Sequence, residues 1–417
     1  MPSLIILIAL VLAAANLGWW WLADRLSRRL PGAPWWRRAT AAFVLVQVGL
    51  LVWIIGGRAV APRGAIAPGL FGSTIAFTWQ MFVLPGVVVV GVGATATLSV
   101  WCAWRITRRR SGHPEMEVTA AQPDSGGETT GWTRRNLLAA AVVAGPPLLT
   151  GITVGASLEQ LQRFRVRRIR VALPMLPREL EGVRIASVAD LHVGTFTAPG
   201  MLRRIVEAAS GLDADLVVMP GDLINNRLAD LSDALDAVAG IQSRYGTYLC
   251  MGNHDLIENG AEFALRTRQR ANLLVDEART VMVRGYPVRL LGLPWTRGEE
   301  AIADSVRRMA KTGDVGAFSL LMAHHPHAFD AAAEAGIALT FAGHTHGGQL
   351  MASEEVGFGP WMYRYWSGLY RKPERGGASL VVSNGVGHWY PLRIGAPAEV
   401  ILATLERGEE SRVQRSP

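Results

Sequence analysis

Cysteine is almost missing from this sequence. Cys102 lies inside an apolar run and Cys250 inside a strand-like stretch, and no others occur among 417 residues. Two such positions exclude a disulfide framework and a thiolate metal site, and they leave the redox compartment open. Charge is missing elsewhere: the runs 4–23, 40–57 and 76–104 are apolar and nearly free of ionisable side chains. No polar face recurs along them, which argues against buried helices of a soluble domain. The scarcity of ionisable groups also argues against a transporter or sensor, which would carry them within its spans. No internal repeat is evident.

Each of these runs is long enough to cross roughly 30 Å of hydrocarbon as a helix. Trp19, Trp20 and Trp21 close the first, and Trp101 and Trp104 close the third, as interfacial aromatics do. Gln47 is the strongly polar side chain of the second run, and Pro85 interrupts the third. Residues 1–110 therefore read as a membrane domain. Residues 111–132 are rich in Gly, Pro and Ser without periodicity, a flexible linker. At 133–156 Arg134 and Arg135 precede a further apolar run. This segment resembles a twin-arginine export signal and is equally consistent with a fourth span.

The net charge is +8, nearly all of it from arginine. The arginines cluster beside the apolar runs, so no nucleic-acid partner is expected and a membrane is. Loop 24–39 carries five and loop 105–135 carries six. The positive-inside rule puts both in the cytoplasm, which leaves everything after residue 156 on the extracytoplasmic side of a multi-pass protein. Arg163, Arg165, Arg167, Arg168 and Arg170 oppose that orientation, although Arg165 to Val171 alternates like a strand.

From 165 to about 406 apolar runs alternate with amphipathic stretches such as 198–209 and 228–240, the pattern of an α/β domain; 407–417 reads as a polar tail. Five runs read as buried strands: 183–189, 216–219, 247–251, 318–322 and 338–341. Each runs into polar residues able to bind a metal. They are Asp190-Leu191-His192, Gly221-Asp222, Gly252-Asn253-His254-Asp255, His324-His325-Pro326 and Gly343-His344-Thr345-His346. Taken singly each suits a turn or a core edge, but five alike at strand ends point to one site. Carboxylate, imidazole and amide ligands without thiolate suit Mn, Fe or Zn.

This ordered set resembles the calcineurin-like metallophosphoesterase superfamily. Gly343 to Gln349, Ser367 to Tyr370 and Val382 to Gly387 resemble its membrane-associated YkuE/YaeI-like phosphodiesterase branch. The resemblance covers roughly 165–406 and implies a four-layer αββα sandwich, here behind about four transmembrane helices. It further implies two divalent metal ions, one held by Asp190, His192, Asp222 and His346. Asp222 would bridge to the other, completed by Asn253, His324 and His344. By the family pattern His324 rather than His325 is the ligand, leaving His325 and His327 to support it or to touch substrate.

The implied activity is hydrolysis of a phosphodiester or pyrophosphate, with a lipid-linked substrate in view, by in-line attack of a metal-bridging hydroxide. His254 would protonate the leaving oxygen, with Asp255 orienting its ring. The aromatic stretch 358–366 is either a packed loop or a bilayer-facing lip, and Arg364 and Arg371 are candidate phosphate contacts. Two alternatives stand beside this: a non-catalytic binding protein on the same fold, and a lipid-precursor pyrophosphatase at the cytoplasmic face. Composition does not bear on the oligomeric state.

Overall fold

The computed structural model describes residues 2–60, 69–110, 132–296, 298–312, 316–353, 355–408 and 412–413. Nearly all of the expected linker lies outside these. The chain divides into two compact units, Met1–Gly155 and Ala156–Pro417.

The first unit is helical: α1 (Pro2–Ser27), α2 (Ala33–Val60), α3 (Gly69–Phe77), a π-helical turn Thr78–Val83, and α4 (Leu84–Arg110). Helix α5 (Arg134–Leu161) begins in this unit and ends in the second. Among the described residues four segments are long and apolar enough to cross a membrane: Ile6–Ser27, Ala33–Gly56, Gly69–Thr107 and Arg134–Leu161. The π turn lies just before Pro85, which has no N–H to give residue 81 and whose ring crowds that carbonyl; a locally widened helix absorbs the misfit.

The widened turn faces a polar knot. Trp79 Nε1 donates to Asn16 Oδ1 (2.8 Å), Asn16 Nδ2 to Gln80 Oε1 (2.9 Å), and Gln80 Nε2 to the Gln47 carbonyl (3.3 Å). All four side chains are buried. Asn16→Leu would strand the indole N–H of Trp79 and the Gln80 carbonyl in an apolar bundle. The expected cost is about 0.6–2 kcal/mol, read as a lower midpoint when helix content of the detergent-solubilised protein is followed on heating.

The second unit opens with β1 (Phe164–Leu173), β2 (Arg184–Ser187), α6 (Pro199–Ser210), β3 (Leu216–Pro220), α7 (Leu231–Gly240), β4 (Thr247–Cys250), α8 (Gly260–Arg268) and β5 (Asn272–Leu273). There follow β6 (Glu277–Val283), β7 (Tyr286–Gly292), α9 (Glu299–Lys311), β8 (Phe318–Met322), α10 (Ala328–Glu334) and β9 (Leu339–Ala342). It closes with α11 (Phe358–Met362), β10 (Gly368–Lys372), β11 (Ala378–Val382), β12 (Ala398–Arg407) and β13 (Arg412–Val413). One sheet runs β13-β1-β12-β2-β3-β4-β5, the other β10-β11-β9-β8-β7-β6. The tail is thus less irregular than its polarity suggests, since β13 pairs antiparallel with Ile169 and Arg170 of β1.

The sheets pack through Ile185, Val218, Cys250, Leu320, Phe341 and their neighbours. Each such side chain contributes about 1.5–3 kcal/mol when fully buried. Helices α6, α7 and α8 cover the outer face of the first sheet, and α9 and α10 that of the second. The four-layer αββα order follows. Helix α6 illustrates the sequence logic: Pro199 starts it, and Met201, Ile205 and Ala209, four apart, form its buried stripe.

The arginines after α5 are largely taken up inside this unit. Arg165 and Arg167 both reach the buried Glu399 (3.0 and 2.7 Å), Arg163 pairs with Glu159 and Arg170 with Glu406. The alternation that read as a strand is β1, whose Arg165, Arg167 and Arg170 pair with acidic side chains of β12.

Candidate metal centre

Strands β2, β3, β4, β8 and β9 all end at one edge, and the loops leaving them bring the candidate ligands together. His192 Nε2 lies 3.1 Å from His346 Nε2, 3.5 Å from Asp222 Oδ2 and 4.0 Å from Asp190 Oδ1, while His346 Nε2 is 3.6 Å from Asp190 Oδ1. Beside this group, His324 Nε2 is 3.1 Å from both Asp222 Oδ2 and Asn253 Oδ1. His344 Nδ1 is 3.1 Å from Asn253 Oδ1 and 3.2 Å from His324 Nε2. Asp222 belongs to both groups.

This spacing suits cations. Two donor atoms at about 2.1 Å from one ion and at right angles to each other stand about 3.0 Å apart. Among the described residues three groups could hold a metal ion: Asp190, His192 and His346; His192, Asp222 and His254; Asp190, Asp222 and His324. Asp190, His192, Asp222, His324 and His346 are buried, and His344 and Asn253 half-buried. Asp190 Oδ2 and His192 Nδ1 are buried without hydrogen-bond partners among the described residues. Such atoms are costly unless something else satisfies them.

The electrostatics agree. Burial, together with the neighbouring Asp222 charge, pushes Asp190 up to about 7. Burial acts on Asp222 in the same direction, but His324 outweighs it and holds that carboxyl below its ordinary range. Burial depresses His344 to about 2, with His324 repelling its charged form further. His324 moves the other way, to about 9, because its contact with Asp222 overcomes its burial. Clustered carboxylates and largely neutral imidazoles are a donor set that favours divalent metal over protons.

The backbone is strained to achieve this. Five of the seven candidate ligands have positive φ: Asp190 (53°), His192 (45°), Asp222 (55°), His344 (72°) and His346 (48°). Each costs about 1 kcal/mol or more and persists only because the surrounding sheet over-determines it. Close approach demands two glycines: a Cβ on Gly252 would stand 2.1 Å from Asp222 Oδ1, and one on Gly343 2.2 Å from Asp190 Oδ2.

Residues 183–348, the stretch that carries every candidate ligand, match the family described as calcineurin-like phosphoesterase. The chain carries a calcineurin-like metallophosphoesterase domain. It is 27% identical over 261 residues to a transmembrane protein with metallophosphoesterase domain from Danio rerio, covering 58% of this chain and 57% of that protein. It is 23% identical over 249 residues to the uncharacterized metallophosphoesterase YkuE of Bacillus subtilis, covering 56% and 82%. A shorter likeness, 29% over 116 residues, covers 28% of this chain and 34% of the UDP-2,3-diacylglucosamine pyrophosphatase LpxG of Chlamydia muridarum. The chain thus spans less than two thirds of the length of the first of these relatives.

Within the metallophosphoesterase domain, His324 and His325 part company. His324 turns Nε2 to the cluster while Nδ1–H donates to the Pro220 carbonyl (2.8 Å), the usual support for a metal-binding imidazole. His325 instead meets His327, Nδ1 to Nδ1 at 2.8 Å, and burial beside these two histidines lowers it to about 4. His254 is also held by a carbonyl: its Nδ1–H donates to the Asn225 oxygen (2.5 Å), and its backbone N–H to Asp222 Oδ1 (2.8 Å).

Asp255 does not orient that ring. Its carboxylate accepts the backbone N–H groups of Gly252, Asp222, Leu223 and Ile224 and so ties the β3 and β4 loops together. A buried carboxylate surrounded by amide donors satisfies those donors first. Nor, among the described residues, does a contact join Arg364 or Arg371 to the ligands. Arg364 pairs with Asp330 (3.2 Å), and Arg371 sits in β10 opposite Ser379.

Three participants escaped sequence reasoning. Trp295 packs against His324 and His344 (ring centroids 5.3 and 5.1 Å), and Trp389 against His254 (5.7 Å). The third is Arg393, wholly buried, whose Nη2 donates to His346 Nδ1 (2.9 Å) while Nη1 donates to the Asn384 and Ala396 carbonyls. Burial lowers its guanidinium to about 10, with Asp190 and Glu399 drawing it back up, so it is charged at neutral pH. No histidine or glycine punctuation marks it in the sequence, only a lone arginine in Pro391-Leu392-Arg393. Arg393→Met would leave His346 Nδ1 and the Asn384 and Ala396 carbonyls without their buried donor, at about 1–3 kcal/mol for each stranded group, and His346 without its fixed position, so that weaker metal binding is the expected result. Arg393→Lys should fail to restore it, lacking the planar fork; titration calorimetry with Mn would measure both.

Proposed function

We propose that this chain is a membrane-anchored, two-metal phosphoesterase that hydrolyses a phosphodiester or a pyrophosphate carried on a lipid. The observation that carries the reading is Asp222, whose carboxylate lies in both ligand groups with His254 held at their edge. One ion would be held by Asp190, His192, Asp222 and His346, and the second by Asp222, Asn253, His324 and His344. Mn, Fe and Zn all fit nitrogen and oxygen ligands without thiolate. Such ions supply Lewis-acid charge to phosphoryl oxygens and make water more acidic.

The protein's own residues do the rest. In hydrolysis a bond forms between a water oxygen and phosphorus while the bond from phosphorus to the leaving oxygen breaks. His254, with Nδ1 fixed on the Asn225 carbonyl, keeps Nε2 free to carry a proton to that leaving oxygen. The Asp222 contact with the His254 backbone N–H keeps this ring in register with the ligands. The completeness of the ligand set speaks against a non-catalytic binding protein.

The pyrophosphate alternative draws support from the relative named as a pyrophosphatase. The extracytoplasmic orientation rests on the arginine-rich loops and on the ion pairs that occupy Arg163, Arg165, Arg167 and Arg170. The twin-arginine reading of Arg134-Arg135 belongs with it. The test is hydrolysis by the purified full chain on a panel of aryl phosphodiester, nucleotide pyrophosphate and lipid-linked pyrophosphate, with metal analysis of the same preparation. Metal-dependent turnover on at least one of them is expected. A preparation that binds Mn yet hydrolyses none would sink the enzymatic reading, and a reporter fused after residue 406 that works in the cytoplasm would sink the orientation.

A further inference from the structure

Trp389 stands where the departing half of a substrate has to pass. Its ring centroid lies 5.7 Å from that of His254 and 6.4 Å from that of His346, where the first ligand group meets the proposed proton donor. Trp295 instead borders the other ligand group, against His324 and His344. Val386, Gly387 and His388 just before it are buried, yet Trp389 leaves 38% of its surface open.

The loop that carries this indole is fixed. Val386 N–H donates to the Ala189 carbonyl (3.0 Å), Gly387 N–H to the Asp190 carbonyl (2.9 Å) and His388 N–H to Thr197 Oγ1 (3.0 Å). A Cβ on Gly387 would stand 1.9 Å from the Leu191 carbonyl oxygen, so the loop lies directly on the segment that holds Asp190 and His192. Tyr390 packs on Trp389, with centroids 5.1 Å and planes 38° apart. The ring is held in place before a ligand arrives, and a pre-organised ring binds without the cost of ordering it. Nor is it needed to aim His254, whose Nδ1 is fixed on the Asn225 carbonyl and whose backbone N–H is fixed on Asp222.

We infer that Trp389 is a stacking platform for a planar ring on the leaving group, an aryl group or the base of a nucleotide. The leaving oxygen has to lie within about 3 Å of His254 Nε2 for a proton to cross, which puts it within roughly 10 Å of the Trp389 ring centre. A ring bonded to that oxygen, or one sugar or phosphate beyond it, can span such a gap. Aryl rings and nucleobases all offer a π face to an indole, whereas a methyl group gains only contact area. Assigning this side of the centre to the leaving group rests on the proposed role of His254; the stacking itself does not depend on turnover.

The first test is titration calorimetry on the Mn-loaded full chain in detergent, with methyl phosphate, phenyl phosphate and adenosine monophosphate. One stacked ring should tighten binding about tenfold over methyl phosphate, and whether phenyl or adenosine does so tells a short aryl group from a nucleotide. Trp389→Ala should erase the preference, Trp389→Phe should keep part of it, and Trp295→Ala should keep it. A preference that survives Trp389→Ala, one that vanishes with Trp295→Ala instead, or none in the parent overturns the inference, whatever the enzyme does.

The second test compares turnover of dimethyl pyrophosphate with that of an analogue in which the preferred ring replaces one methyl. Trp389→Ala should raise KM for the ring-bearing compound about tenfold, because stacking is made in ground state and transition state alike. A fall in kcat on both compounds alike would make Trp389 a support of His254 and overturn the platform. Turnover of neither compound by the parent, with the calorimetric preference intact, keeps the platform and counts against the enzymatic reading alone.

Discussion

Asp222→Asn should abolish turnover and the thermal stabilisation by metal together. Both ligand groups use this carboxylate: Oδ2 is 3.5 Å from His192 Nε2 and 3.1 Å from His324 Nε2. The amide keeps the volume and one oxygen but loses the charge that each ion would share. An outer partner of a ligand is typically worth about 10–100-fold, so losing the shared carboxylate should cost about 10³-fold or more in rate. Stability supplies a readout independent of chemistry. Metal at 100 times its dissociation constant adds about 2.7 kcal/mol to the folded state. For a unit of this size that raises the unfolding midpoint by roughly 5–10 °C. The parent protein should show that rise with Mn and lose it with chelator; the variant should show neither. A variant that still gained the full rise would remove Asp222 from the centre. The Oδ1 bond to His254 N–H adds a further consequence, since an asparagine turned the wrong way would oppose two donors and loosen the β4 loop.

How much of this was legible beforehand depended on whether a residue announces itself locally. Strands β3, β4, β8 and β9 are short, mostly apolar and lead into Gly, Asp, Asn or His, so periodicity and punctuation coincide. The β6–β7 hairpin was silent. Its turn is Arg284-Gly285, both at positive φ, where Asn-Gly would have signalled it, and β6 is half exposed with no clean alternation. The ligands were legible because their chemistry is distinctive, but their left-handed backbone was not, since nothing in an Asp or His foretells a φ of 45–72°. Arg393 was hidden for another reason. It lies 47 residues beyond His346 and acts only because β11, β12 and the loop between them return to the sheet edge. Asp255 was misjudged by adjacency: standing next to His254, it was read as that ring's partner, yet four backbone amides claim its carboxylate.

That last distinction sets the second large effect. His254→Ala should cut turnover about 10²–10⁴-fold, the range for a lost general acid, while metal stoichiometry stays near that of the parent. His254 Nδ1 is committed to the Asn225 carbonyl, and its ring lies 4.6 Å from His192 and 5.7 Å from Trp389, at the edge of the ligand cluster. The defect should shrink for substrates whose leaving group is a good anion, such as a nitrophenolate, because they need no proton at departure. Asp255→Ala should behave differently. Stranding even two of its four amides costs about 2–6 kcal/mol at 1–3 each. The expected signature is a lower unfolding midpoint with metal loss and no leaving-group dependence. If His254→Ala lost metal as Asp255→Ala does and showed no leaving-group dependence, His254 would be a ligand, as its place with His192 and Asp222 also permits. Rate against leaving-group acidity, measured on both variants with their metal content, decides between the two roles.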